Sequence, residues 1–271
     1  MTLKLFLIFF IISAFGCIGG FINFVHFMSV GYGFSVAALG IAYGITAFIL
    51  KLPVNWVSLI LCLLLVCYGL RLALFLLFRE KNASYKASLA ETKPFPFFVK
   101  AAMWVCVAIM YILQTSGVFF RLYNNKGNEI VLPLAGSIIA ATGFVIEALA
   151  DKQKSAQKIH NPRMVATKGL FKLVRCPNYL GEILFWTGIT LSSLNCLSGS
   201  LQWIFVIAGY ILIVFVMING AERLDKKQEK RYGSNPDYRA YADNTPIIIP
   251  FIPVCHIGDY KGEKAKDKAT S

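Results

Sequence analysis

Residues 54–78 read VNWVSLILCLLLVCYGLRLALFLLF, twenty-five positions with one charge, Arg71. About 20 apolar residues in a helix cross a hydrocarbon core near 30 Å, and a core helix of a soluble domain is rarely apolar on every face. This segment therefore predicts a membrane span. Working outward, comparable runs occupy 5–27, 33–50, 97–119, 130–150, 179–194 and 201–220. The chain is 57% hydrophobic and 15% charged, against roughly 45–50% and about 25% in soluble domains. A soluble fold could not cover that surface, so the expected architecture is all-α: a polytopic membrane protein of about seven transmembrane helices. Residues 1–260 are read as one membrane domain and the Lys-rich stretch 261–271 as a disordered basic tail. The first run is too long for the 7–15 residue apolar core of a signal peptide and lacks a good cleavage site, so a retained helix is expected.

Charge and cysteine usage narrow the function classes. Twenty-two of the 27 Lys and Arg fall in 79–100, in 151–178 or after the last span, which places the C-terminus in the cytosol and the N-terminus outside. The net charge of +13 is thus a topology signal beside an anionic leaflet. No nucleic-acid motif accompanies it, and none is expected as a partner. Four of the seven cysteines, Cys17, Cys62, Cys67 and Cys106, lie inside apolar runs and read as small packing residues. The three histidines are not at ligand spacing, so no metal site is expected.

Ionisable residues within or bordering spans mark candidate sites, because they are costly in lipid. Arg71 is deep in the third run; Glu147 and Asp151 lie one turn apart at the end of the fifth; Glu222 and Arg223 close the seventh. Between them stands Arg175-Cys176-Pro177-Asn178-Tyr179-Leu180-Gly181-Glu182. Pro177 disfavours helix at Cys176 and suits the first turn of a helix that follows, leaving Asn178 and Glu182 at i and i+4 on one face. Arg175 offers a fork for phosphate, the first-turn N–H groups add to anion affinity, and carboxylates suit amide or ribose donors. A Pro-started helix with ion-paired ends accounts for the same residues without a ligand.

RCPNYLGEILFWTG at 175–188 resembles the RHPNYxGExxxWxG signature of a membrane family, of unassigned function, within the steroid 5-alpha-reductase superfamily. EALADKQK at 147–154, Gly169-Leu170, the Arg71 to Arg79 spacing, and Tyr238-Arg239-Ala240-Tyr241 followed by Ile249-Pro250-Phe251 are similar to further pieces of that family, in order over residues 65 to 253. Cys176 stands where the family carries His, and Leu50-Lys51-Leu52-Pro53 where steroid reductases carry Gln-Glu.

The resemblance implies a seven-helix fold that binds NADPH from the cytosol, in its 130–253 half, and reduces a carbon–carbon double bond conjugated to a carbonyl in a steroid or other lipid from the bilayer. It implies cofactor contacts at Glu147, Asp151, Lys158, Arg175, Asn178, Tyr179, Glu182, Glu222 and Arg223. Tyr68 is implied as the hydrogen-bond donor to the substrate carbonyl, a role that suits a phenol facing developing enolate charge; an ordinary packing tyrosine is the plain alternative. The implied membrane is the endoplasmic reticulum in a eukaryote or the inner membrane in a bacterium. Two other readings stand beside this one. The chain is also similar to isoprenylcysteine and phospholipid methyltransferases, in which Glu222-Arg223 would hold S-adenosylmethionine. Alternatively it is a non-catalytic lipid-binding protein that kept the fold.

Overall fold

The computed structural model describes residues 2–81, 95–124, 129–161 and 164–257. The expected tail at 261–271 lies outside them. Among the described residues there is no strand, and the fold is all-α. The helices are α1 (Leu3–Gly16), α2 (Val30–Ile49), α3 (Trp56–Glu80), α4 (Phe97–Tyr123), α5 (Val131–His160), α6 (Pro177–Leu191), α7 (Ser200–Tyr232) and α8 (Pro236–Asn244). Among the described residues five segments are long and apolar enough to cross a membrane: Phe24–Ile49, α3, α4, α5 and α7.

Two expected spans differ from the sequence reading. The run at 5–27 is the 14-residue α1 followed by two 3-10 turns, Ile18–Phe21 and Phe24–Met28. Glycines set the break: a Cβ on Gly20 would lie 2.1 Å from the Phe27 ring. At 1.5 Å per residue α1 is about 21 Å long and the 15-residue α6 about 22 Å, both short of a hydrocarbon core near 30 Å. Conversely, α5 and α7 continue to His160 and Tyr232, past the apolar runs that end at 150 and 220. Their polar extensions are rich in Ala, Glu, Gln and Lys, which favour helix in water.

The chain groups into two compact units, one of Met1–Ala141 with Phe185–Ile213, the other of Thr142–Leu184 with the chain from Val214 onward. In the first, α2 and α3 pack through small residues one turn apart, Gly33 and Ala37 against Gly69 and Ala73. A Cβ on Gly33 would fall 2.6 Å from the Gly69 carbonyl oxygen, so only glycine allows the helices this close. Hydroxyls tie the helices where lipid offers no water: Ser13 Oγ donates to Ala108 O at 3.0 Å, and Ser35 Oγ to Ser13 O at 2.8 Å. Asn55 caps α3, its Oδ1 accepting from the Ser58 N–H at 2.9 Å. Leu59, Leu63, Phe78 and Ile204 are more than half exposed, as side chains facing lipid would be.

The second unit is built on the polar ends of α5 and α7, the first turns of α6, and α8. Small cores hold it together, among them Tyr238, Ala242, Tyr232 and Val165, and Cys176 with Ala221, Ile247 and Ile248.

Candidate functional site

Local chemistry shapes the stretch that leads into α6. Gln157 Oε1 accepts from the Thr167 and Lys168 N–H groups, both at 2.9 Å, and Gln153 Oε1 accepts from Leu170 N at 2.8 Å. Two glutamines one turn apart on α5 thus pin the loop at the point where Gly169 adopts φ +69°, a conformation with no steric cost for glycine. Beyond it the N–H groups of Arg175 and Cys176 donate to Pro246 O and Ile247 O, each at 2.8 Å. Pro177 then opens α6, as the sequence predicts.

α5 packs on the first turns of α6 through Gly181, where a Cβ would lie 2.6 Å from Glu147 N and 2.7 Å from Gly143 O. Glu147, Asp151 and Glu182 are buried on these adjoining helices. Asn178 is half-buried on the turn before Glu182, and its Oδ1 is sealed from solvent with no hydrogen-bond partner among the described residues. Tyr179 is half-buried and packs with Cys176, Ala221, Ile247 and Ile248, its ring against Gly220 of α7. Lys158 donates to Met164 O and, at 3.1 Å, to Tyr232 Oη.

Arg175 is 3% exposed and forms a hub. Its Nη2 donates to Asp225 Oδ1 at 2.6 Å and to Gln228 Oε1 and Tyr238 Oη at 3.2 Å, and its Nη1 donates to Cys255 O at 2.8 Å. The other Asp225 oxygen, Oδ2, accepts from Ile257 N at 3.3 Å and lies 3.4 Å from His256 Nδ1. His256 Nε2 is in turn 3.0 Å from Asp243 Oδ1. Burial lowers the guanidinium's affinity for its proton, but the Asp225 carboxylate and Tyr238 more than offset it, and the pKa of Arg175 is raised overall. Burial pushes the Cys176 thiol up to about 12 against the opposing pull of Lys154 and Arg175. Burial also pushes Tyr238 up to about 12, again with Arg175 opposing.

The remaining sequence candidates are placed elsewhere. Glu222 pairs with Lys226 at 2.6 Å along α7, and Arg223 is exposed with its Nε donating to Asn219 O of the same helix. Tyr68 belongs to the first unit, fully buried, stacked on Phe185 at 4.0 Å and edge-on to Trp186 at 5.8 Å. In the same aromatic group Tyr32 Oη accepts from Trp186 Nε1 at 2.7 Å and from Gln114 Nε2 at 3.0 Å. Sequence reasoning missed Asp225 and His256, and gave Tyr238 only as part of a motif, not as a partner of Arg175. A signal for Asp225 exists in the spacing Ala221, Asp225, Gln228 and Tyr232, an i, i+4, i+7, i+11 stripe that sets a carboxylate on the inward face of a basic helix.

The model of a family described as a protein of unknown function (DUF1295) matches residues 25–245. The chain belongs to the DUF1295 family. An uncharacterized protein of Schizosaccharomyces pombe is 30% identical to this DUF1295 protein over 132 residues, which is 49% of this chain and 42% of that one. The match thus spans less than half of the yeast relative. No solved structure matches the chain.

Proposed function

We propose that this DUF1295 protein is an NADPH-dependent membrane reductase acting on a carbon–carbon double bond conjugated to a carbonyl in a steroid or other lipid. The observation that carries the reading is Asn178: its side-chain oxygen is buried and orphaned on the first turn of α6, one turn before the buried carboxylate of Glu182. An orphaned buried acceptor is costly unless a ligand donor satisfies it. A carboxamide N–H₂ is such a donor, and the Asn178 and Glu182 acceptors on one helix face suit the nicotinamide end of the cofactor. Glu147 and Asp151 on the packed face of α5 suit its ribose hydroxyls. NADPH bound there would supply a hydride to the carbon beta to the carbonyl. The same reading goes with Tyr68 as the hydrogen-bond donor to the carbonyl oxygen, a role that suits a phenol.

The methyltransferase reading rests on Glu222 and Arg223, and their engagement along the outer face of α7 gives it no support. The reductase reading goes with seven crossings, a cytosolic C-terminus and a cofactor drawn from the cytosol, in the endoplasmic reticulum of a eukaryote or the inner membrane of a bacterium.

The deciding experiment compares NADPH with S-adenosylmethionine by thermal shift and cofactor fluorescence on the detergent-purified chain. NADPH is expected to stabilise it and Asn178→Leu to abolish that effect while the chain stays folded. Stabilisation by S-adenosylmethionine alone, or by neither, overturns the reading.

A further inference from the structure

Residues 246–254 read PIIIPFIPV, nine positions without a polar side chain, and they lie in the second unit just past α8. Both ends of the stretch are tied down. At its start Pro246 O and Ile247 O accept from Arg175 N and Cys176 N, and Ile247 and Ile248 are buried with Cys176 and Ala221. At its finish Val254 O accepts from Ile247 N at 2.9 Å, Cys255 O accepts from Arg175 Nη1 at 2.8 Å, and Ile257 N donates to Asp225. What lies between is presented outward: Phe251 is 95% exposed, and Ile249, Ile252 and Val254 are about half exposed. Phe251 also holds φ +67°, a left-handed backbone that glycine adopts freely and that is costly for a bulky residue. In water this ring would cost stability through both its hydration and its backbone.

The hydrogen bonds set the direction in which the loop points. Arg175 pairs with Pro246 and Cys176 with Ile247, so the two segments advance the same way, and from Pro177 the first of them continues as α6 toward its apolar residues. On α7 the outward side chains change from Phe215 and Ile218, exposed and apolar, to the Glu222–Lys226 ion pair one turn on. The apolar-to-polar boundary of α7 therefore falls near Ala221, and Ile247 and Ile248 pack at that level. The returning limb runs the other way, since Ile257 reaches Asp225, one turn farther from the span. The tip is thus the end that faces the membrane. Residues 249–251 can reach about 10 Å beyond the root, comparable with the roughly 5–10 Å to which interfacial segments penetrate.

The chemistry of the tip favours lipid over a protein partner. A protein interface carries hydrogen-bonding groups at its rim, which this run of apolar side chains does not supply, whereas the layer below the headgroups asks for none. Arg223 and Lys227, exposed on α7 just beyond the boundary, complement anionic headgroups. We propose that residues 249–254 are a membrane-inserting tip, which enters the interfacial layer of the leaflet from which α7 emerges and fastens the second unit to that surface.

The test places a tryptophan at the apex. Phe251→Trp in nanodiscs of phosphatidylcholine and phosphatidylglycerol, read as the difference in emission from the parent chain, is expected to emit to the blue of free tryptophan. Its emission should be quenched by phospholipid brominated in the upper acyl chain and shielded from aqueous acrylamide. Quenching by acrylamide with none from the brominated lipid overturns the tip, and a blue shift that vanishes when each disc holds a single chain assigns the loop to a second copy and overturns it equally. Phe251→Gly removes the ring and relieves the backbone, so its unfolding midpoint in detergent should equal or exceed that of the parent. In nanodiscs the same variant should speed amide exchange across 246–257 about tenfold, as a stretch released from its anchor opens locally. Unchanged exchange there would mean that lipid does not hold the stretch, and would overturn the anchoring role.

Discussion

At the residue scale, Asp225 decides what Arg175 does. A buried guanidinium with a 2.6 Å carboxylate partner is stable only as a pair, and removing one member leaves a charge stranded away from water. Asp225→Ala is therefore expected to cost about 3–5 kcal/mol. Hydrogen exchange should show it as lost protection in 173–178 and 245–257, because Asp225 and Arg175 together hold the chain at Cys255 and Ile257. Replacing both members, as Arg175→Met/Asp225→Leu, should recover much of the loss; if the double variant is no better than the single, the pair is not the source of the stability. The same neighbourhood predicts a response to alkali. The Cys176 thiol and Tyr238 phenol are raised from 9.0 and 10.0 to about 12 by burial, so the folded chain keeps protons that the unfolded chain releases. Their contribution is complete below pH 9 and is lost as pH rises toward about 12. Denaturant midpoints should fall across that window, and Cys176→Ala should remove the part that begins nearest pH 9.

At the scale of elements, Gly181 fixes how α5 meets α6. A valine there would drive its Cβ into the Glu147 and Gly143 backbone at 2.6–2.7 Å, which neither helix can yield without separating. Gly181→Val should cost about 1–3 kcal/mol and lower NADPH affinity at least tenfold. Gly44→Ala, with nothing within 4 Å of the new methyl, should be neutral or stabilising in the same assays. How far the sequence announced these elements depended on whether the signal was local. The starts of α3 and α4 were legible to within two residues, because an apolar run coincides with Asn55 at one and follows Pro96 at the other. α1 was overread because hydropathy does not register that Gly16 and Gly20 face Ser35 and Phe27. The ends of α5 and α7 were underread because their helices outlast their apolar character. In the site, the α6 start and the Asn178–Glu182 face could be read from eight residues, whereas the partners of Arg175 lie 50 and more positions away. No spacing rule connects them, and only the fold brings Asp225, Tyr238 and Cys255 to one guanidinium.

For the whole molecule, the helix lengths and the charge distribution pull in different directions, and topology follows from which prevails. If the short helices α1 and α6 do not cross, the five long segments put the basic segments 79–100 and 151–178 on the side of the N-terminus and the basic stretch from Arg223 to Arg239 on the opposite side, so that one or the other lies outside. If both cross, the N-terminus is outside and the C-terminus inside, and the basic segments stay in the cytosol. The mismatch of a 21–22 Å helix with its bilayer costs only fractions of a kcal/mol per Å and is relieved by local thinning. Each misplaced Lys or Arg near a helix end, by contrast, works against the bias that sets orientation. Charge should therefore prevail, giving seven crossings. Glycosylation acceptors engineered at the N-terminus, in the turn at 50–55 and at the C-terminus, in a eukaryotic microsomal system, would read this directly. The expected pattern is modification at the first two and not the third; modification at the N-terminus alone, or at 50–55 and the C-terminus but not the N-terminus, would establish five crossings and overturn the seven-crossing arrangement.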